Sequence, residues 1–255
     1  MEPFASSAQR PVIVGHRGVR GQGPQENTPA AFAAAAAAGA QWIELDARRS
    51  ADGPLVVCHE GWTPDGTPVV DCTAAALRHR WGIVTLAEAL STLPAAVGVD
   101  LEVKNLPGEP DFAEETAAEV ADLVSRTAAA VRSHLTGRPL LVSCFNPLTL
   151  AALTDELPGT PAGLITYDTV AVATAADLAL EYGATVVCVR LGSPGLDAAT
   201  FLEVHQRGLA IFVWTVNSSE DARSLAEVGA DALCTDDPAL VLAALAARSG
   251  HDAQR

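Results

Sequence analysis

No apolar run in this chain is long enough to span a bilayer, and the alanine-rich stretch from Ala33 to Ala38 reads as a helix face. The opening MEPFASSAQR has neither the basic start nor the apolar stretch of a secretion signal. Basic residues are scarce: 16 against 31 acidic ones, for a formal charge of −15. So acidic a surface repels nucleic-acid backbones and anionic bilayers, which excludes both as natural partners. An anionic substrate would need a local cation or a few placed basic groups to offset that field. The five cysteines, Cys58, Cys72, Cys144, Cys188 and Cys234, are scattered and form no C-x-x-C pair. Most lie in or beside strand-like apolar runs. That predicts buried thiols in a reducing, cytoplasmic setting rather than a disulfide frame.

What is present is apolar bulk, 49% of residues, arranged in a rhythm. Short Val/Ile-rich runs alternate with longer Ala/Leu/Glu stretches, the pattern of βα units and a parallel sheet. The strands are expected at Val12–Gly15, Ile43–Ala47, Val97–Val103, Leu140–Cys144, Gly163–Tyr167, Val186–Arg190, Ile211–Val216 and Ala232–Thr235. Helices are expected between them, at Pro29–Ala38, Thr85–Leu93, Asp111–His134, Pro147–Leu157, Ala171–Tyr182, Ala198–Arg207, Ser219–Glu227 and Pro238–Arg248. Eight such units close a (β/α)8 TIM barrel. No low-complexity linker interrupts them, so one domain over 1–255 is expected, with the barrel proper over about 11–248. Thr28 before Pro29 is a helix start, and Gly39, Gly183, Gly208 and Gly229 each close a helix shortly before a strand.

One segment breaks the rhythm. Ile43–Arg48 and Leu55–His59 are both strand-like but are separated by only a few residues. A parallel crossover needs a dozen or more, so the two must form an antiparallel hairpin. That pairing brings His59 roughly opposite Glu44 and Asp46.

The chemistry gathers at strand ends. Glu44 and Asp46 stand two residues apart in a strand and therefore face the same side. Two like charges aimed together are costly unless a cation lies between them, and oxygen-only ligation suits Mg²⁺ or Ca²⁺. The plain alternative is a structural ion network with Arg48 or Arg49. Glu102 and Lys104 repeat the spacing on the next barrel strand, where Glu102 could complete a carboxylate cage. Arg17, flanked by Gly15 and Gly18, is suited to grip a phosphate. His16 alone reads more readily as a structural residue than as a catalyst. Trp214 and Phe145, at strand ends, either line a substrate pocket or simply fill the barrel mouth. The acidic stretches Glu109–Glu119 and Asp231–Asp237 read as solvated faces or strand-end loops.

The ordered set of His16-Arg17-Gly18, Gln25-Glu26-Asn27-Thr28, Ile43-Glu44-Leu45-Asp46, Val57-Cys58-His59-Glu60 and Leu101-Glu102-Val103-Lys104 resembles the glycerophosphodiester phosphodiesterase family. The likeness continues through Ser143–Pro147, Val213–Asn217 and Thr235-Asp236-Asp237-Pro238. The resemblance implies a barrel of metal-assisted phosphodiesterases related to phosphoinositide-cleaving phospholipases. It implies His16 and His59 as the acid–base pair and Glu44, Asp46 and Glu102 as ligands of Mg²⁺ or Ca²⁺. It also implies Arg17 and Lys104 near the phosphate of a small phosphodiester substrate. Departures from the family pattern lie at Glu60, where Asp is usual, in a short Gly61–Gly66 insertion, and at Asn146. They bear on which alcohol is accepted. Two rivals stand beside this reading: a lysophospholipase D-like or lyase-type enzyme acting on lysolipids, and a non-catalytic binding barrel. Oligomeric state is not legible.

Overall fold

The computed structural model describes residue 4 and residues 11–21, 23–113 and 118–247. Its strands are β1 (Val12–His16), β2 (Trp42–Arg49), β3 (Leu55–Val57), β4 (Gly98–Val103), β5 (Leu140–Cys144), β6 (Ala162–Thr166), β7 (Val186–Arg190), β8 (Ala210–Trp214) and β9 (Ala232–Thr235). Its helices are α1 (Pro29–Ala37), α2 (Ala74–Trp81), α3 (Leu86–Leu90), α4 (Ala118–His134), α5 (Pro147–Glu156), α6 (Val172–Glu181), α7 (Ala198–Gln206), α8 (Ser219–Val228) and α9 (Pro238–Ala246). All strands but β3 run parallel, and β1 pairs with both β2 and β9, which closes the sheet on itself. The result is a TIM barrel with β3 bonded outside it, antiparallel to the end of β2 through Ala47↔Val57. The expected hairpin is present.

The period of two decides what fills the barrel and what faces the helices. In β2, Ile43, Leu45 and Ala47 pack outward with Phe32, Leu90 and Leu123. The alternate residues point inward, beginning with Trp42, which clusters with Val12, Val14, Leu141, Ile165 and Phe212. Phe4 stands against this floor, its ring centroid 5.2 Å from that of Trp42. Gly98 lies opposite Trp42 in the register, and a Cβ there would overlap the indole ring. A glycine is therefore what lets the large ring fit. Going up each strand, the inward positions change from apolar to charged: Trp42, then Glu44 and Asp46 on β2; Gly98, then Asp100 and Glu102 on β4. The floor is hydrophobic and the mouth is ionic.

Side-chain oxygens open the helices at that mouth. Thr28, Asn146, Asp197, Ser218 and Asp237 each accept a backbone N–H in the first turn that follows. Gly39 and Gly229 adopt the left-handed conformation, at φ 98 and 101, as the helix–Gly–strand rhythm required.

Three expectations need correction. The helix expected from Asp111 begins at Ala118 among the described residues; Asp111 lies in a turn and is buried, and 114–117 fall outside the description. The acidic stretch around it is thus not wholly a solvated face, because Asp111 accepts a 2.6 Å bond from the buried Arg48 guanidinium. The insertion after β3 also holds a helix that was not expected, α2, capped by Thr73 and ended by Gly82 in the left-handed region. Trp81 ends that helix, packed against the cluster of Val56, Val69 and Leu77.

Candidate active site

The end of β1 starts the site. Arg17 takes a positive φ of 54, and Gly18 follows at 89, where a Cβ would overlap Ala31. This sharp turn aims the Arg17 backbone N–H at Glu44 Oε2, 2.8 Å away. Its guanidinium reaches Glu26 Oε1 at 2.9 Å and Asp46 Oδ2 at 3.2 Å. Asn27, also at positive φ, donates to Asp46 Oδ2 at 2.7 Å. The Gln25–Thr28 motif thereby acquires a role that its sequence did not reveal: it supports Asp46 and orients Arg17.

Glu44, Asp46 and Glu102 converge, each offering an oxygen within 4.8 Å of the others. Asp46 is fully buried, and Lys104 Nζ stands 2.9 Å from its Oδ1 and 2.6 Å from Glu102 Oε1. Burial works to raise the Asp46 pKa, but Lys104 and Arg17, helped by His59 and the Asn27 amide, hold it below the usual carboxylate range. Glu44 goes the other way. Burial, then the charges of Asp46, Glu102 and Asp100, push it well above its ordinary value. One layer down, burial raises Asp100 to about 7, against the 2.6 Å bond it accepts from Ser143 Oγ.

Those observations test whether a divalent cation fits. Glu44 Oε1 is buried without a hydrogen-bond partner, beside two further carboxylates, and every donor is oxygen. That set matches a hard cation and is poorly compensated by protein groups alone. Arg48 and Arg49 do not supply the compensation: Arg48 pairs with Asp111 and Glu109, and Arg49 donates to the Asp111 and Glu119 carbonyls.

The two histidines border this cluster. His16 Nε2 lies 4.0 Å from Glu44 Oε2, while Nδ1 meets Asp236 Oδ1 at 2.7 Å. His59 follows the outer strand β3, where Cys58 N donates to the Asp46 carbonyl. Its own carbonyl accepts from Arg48 Nε and Nη2 at 2.9 and 2.6 Å, and its Nδ1 meets Glu60 Oε1 at 2.8 Å. The sequence assigns Asp236 no role beyond a solvated face or strand-end loop within the Thr235–Pro238 motif. Burial raises it, but His16, the Asn217 amide and Arg20 outweigh that and bring it to about 2.

On the neighbouring strand ends, Trp214 donates Nε1 to the Cys188 carbonyl and meets Phe145 edge-on at 5.7 Å. Phe145 stacks on the half-exposed Tyr167 at 4.7 Å, and both line a cleft of about 730 Å³ with Asn105 and Thr166. A larger cleft of about 930 Å³ lies at the other end of the barrel, by Phe4 and Trp42, away from the ionic cluster.

This geometry meets an independent match: the model of the glycerophosphoryl diester phosphodiesterase family covers residues 16–240. The chain belongs to that family. It is a phosphoric diester hydrolase of the glycerophosphodiester phosphodiesterase type. The glycerophosphodiester phosphodiesterase of Caldanaerobacter subterraneus subsp. tengcongensis is similar, 26% identical over 254 residues covering 89% of this chain and 94% of its own. YhdW of Bacillus subtilis (strain 168) is 26% identical over 246 residues, covering 90% and 96%. Among solved structures, the Oleispira antarctica phosphodiesterase OLEI02445, in complex with the product sn-glycerol-3-phosphate, superposes with a TM-score of 0.79 at 24% identity. That alignment covers 93% of this chain and 97% of the other. No helix of this glycerophosphodiester phosphodiesterase, among the described residues, is long and apolar enough to cross a membrane.

Proposed function

We propose that this family member hydrolyses small glycerophosphodiesters to glycerol 3-phosphate and an alcohol, using His16 and His59 for proton transfer beside a divalent cation held by Glu44, Asp46 and Glu102. The observation that carries this reading is the buried, unpartnered Glu44 Oε1 within a three-carboxylate cluster that both imidazoles border. A bound cation supplies Lewis-acid stabilisation of the charge that develops on phosphate oxygens. Arg17 and Lys104 add fixed positive charge beside the same carboxylates, and so draw a phosphate toward the mouth of an otherwise acidic protein. One imidazole removes a proton from the nucleophile and the other returns one to the leaving alcohol, each acting through its Nε2 because Nδ1 already has a carboxylate partner. The Trp214–Phe145–Tyr167 aromatics form the wall that the alcohol portion meets.

We read residues 1–255 as one catalytic unit, and the free thiols support a reducing compartment. A second reading has its own observation. Trp62 and Tyr167, 50% and 48% exposed, stand on loops at the mouth and suit a lysolipid chain. The test is release of glycerol 3-phosphate from glycerophosphocholine and glycerophosphoethanolamine with Mg²⁺, Ca²⁺ or EDTA. Turnover that EDTA abolishes is the expected result. Turnover restricted to lysolipids favours the second reading, and turnover untouched by EDTA overturns the metal assignment.

A further inference from the structure

We propose that Asp236 is the positioning residue of His16, holding the ring through Nδ1 so that Nε2 is the nitrogen that exchanges protons in the site. An ionised carboxylate only accepts hydrogen bonds, so the 2.7 Å contact between His16 Nδ1 and Asp236 Oδ1 fixes the ring hydrogen on Nδ1. Nε2, 4.0 Å from Glu44 Oε2, is beyond hydrogen-bond reach of that carboxylate and points into the ionic cluster.

Asp236 is itself held at both its carboxylate and its backbone. Asn217 donates from Nδ2 to Asp236 Oδ2 at 2.7 Å and accepts from the Asp236 backbone N–H at 2.9 Å. The Arg20 backbone N–H donates to the Asp236 carbonyl at 3.0 Å, and its guanidinium lies 3.4 Å from Oδ1. Arg20 also pairs with Glu26, which holds Arg17. One chain of ion pairs thus runs from the histidine to the arginine proposed to meet the phosphate. The other histidine is held more loosely: the carboxylate on its Nδ1 belongs to its chain neighbour Glu60, whose side chain is 74% exposed. An exposed carboxylate of that kind is loosely held and screened by water. The proton that His16 takes up or gives enters and leaves at Nε2, while the Nδ1 hydrogen stays on the ring, directed at Asp236.

This inference rests on the catalytic role proposed for His16, so its test has one arm that reads the ring and one that reads turnover. Imidazole ¹⁵N NMR of the full chain is expected to show His16 carrying hydrogen on Nδ1, and Asp236→Asn, whose amide can also donate, to disturb that tautomer. In turnover, Asp236→Asn is expected to lower kcat by about 10²–10⁴-fold with KM changed by less than about threefold. Asp236→Glu should recover about tenfold of that loss, and Glu60→Gln should cost less than about tenfold. A wild-type ring hydrogen on Nε2, or an unchanged His16 spectrum in folded Asp236→Asn, overturns the inference. So does a loss that falls on KM alone. A disturbed tautomer with no turnover of any diester by wild type upholds the positioning role and removes the catalytic reading instead.

Discussion

Replacing Arg48 by Met tests how the second histidine is held in place. Arg48 is 1% exposed, and its guanidinium has three kinds of partner: Asp111 Oδ1 at 2.6 Å, Glu109 Oε2 at 3.1 Å and the His59 carbonyl at 2.9 and 2.6 Å. Methionine keeps much of the stem's bulk but leaves Asp111, itself 3% exposed, as a buried carboxylate without its cation. Breaking one side of a buried pair costs about 3–5 kcal/mol. For a chain of this size that is a fall in Tm of about 6–20 °C. Thermal and urea melts read the loss. Adding Asp111→Asn to Arg48→Met should return about 1 kcal/mol or more, because the stranded charge disappears. Turnover measured well below the melting range should still fall in both variants, since neither restores the bonds to the His59 carbonyl. A single variant within about 1 kcal/mol of wild type refutes the argument, as does a double variant no more stable than the single.

Other outcomes follow from the same geometry. His16→Ala and His59→Ala should each lower kcat by about 10²–10⁴-fold in folded protein, measured as glycerol 3-phosphate release. Mg²⁺ or Ca²⁺ should raise the Tm of wild type, because an ion bound only by the folded cluster stabilises it by mass action; Glu44→Gln should abolish that rise. Gly98→Ala should destabilise the barrel by about 1–3 kcal/mol in denaturant melts, because the new methyl overlaps the Trp42 ring beneath the site. The Asp236 carboxyl, brought from 3.8 to about 2, binds its proton more readily in the unfolded chain. Its contribution to stability is therefore present above about pH 4 and lost as pH falls toward 2; at neutral pH it amounts to about 2 kcal/mol. Melts of wild type and Asp236→Asn should accordingly differ at pH 7 and converge in strong acid.

The barrel was legible because its signals are local. Each strand is a short β-branched run, each helix begins at a side-chain cap, and the glycine after a helix announces the next strand. The two-residue spacing of Glu44 with Asp46 and of Glu102 with Lys104 gave the inward face of neighbouring strands directly. Other features depend on contacts that no local pattern encodes. Helix α2 has only eight residues and carries Arg78, His79 and Arg80, so its apolar stripe is just Ala74, Leu77 and Trp81, too short to stand out as a helix in the sequence. Asp111 looked solvated within an acidic run, because its partner Arg48 lies 63 positions earlier. Asp236 is 220 residues from His16. One inference within reach of the sequence could have found it: a closed barrel sets the last strand beside the first, and both residues stand at the upper ends of those strands. The register Gly15↔Thr235 puts them level.

That closure has a consequence for how the protein comes into being. His16 emerges from the ribosome 220 residues ahead of Asp236, the carboxylate proposed to orient it, which directly follows the last strand. A nascent chain halted between β4 and β9 carries both histidines and the whole carboxylate cluster, yet it lacks the seam between the first and last strands. On the positioning role proposed for Asp236, a fragment that ends before β9 carries His16 without the partner that would orient its ring, and its turnover should be as impaired as that of Asp236→Asn.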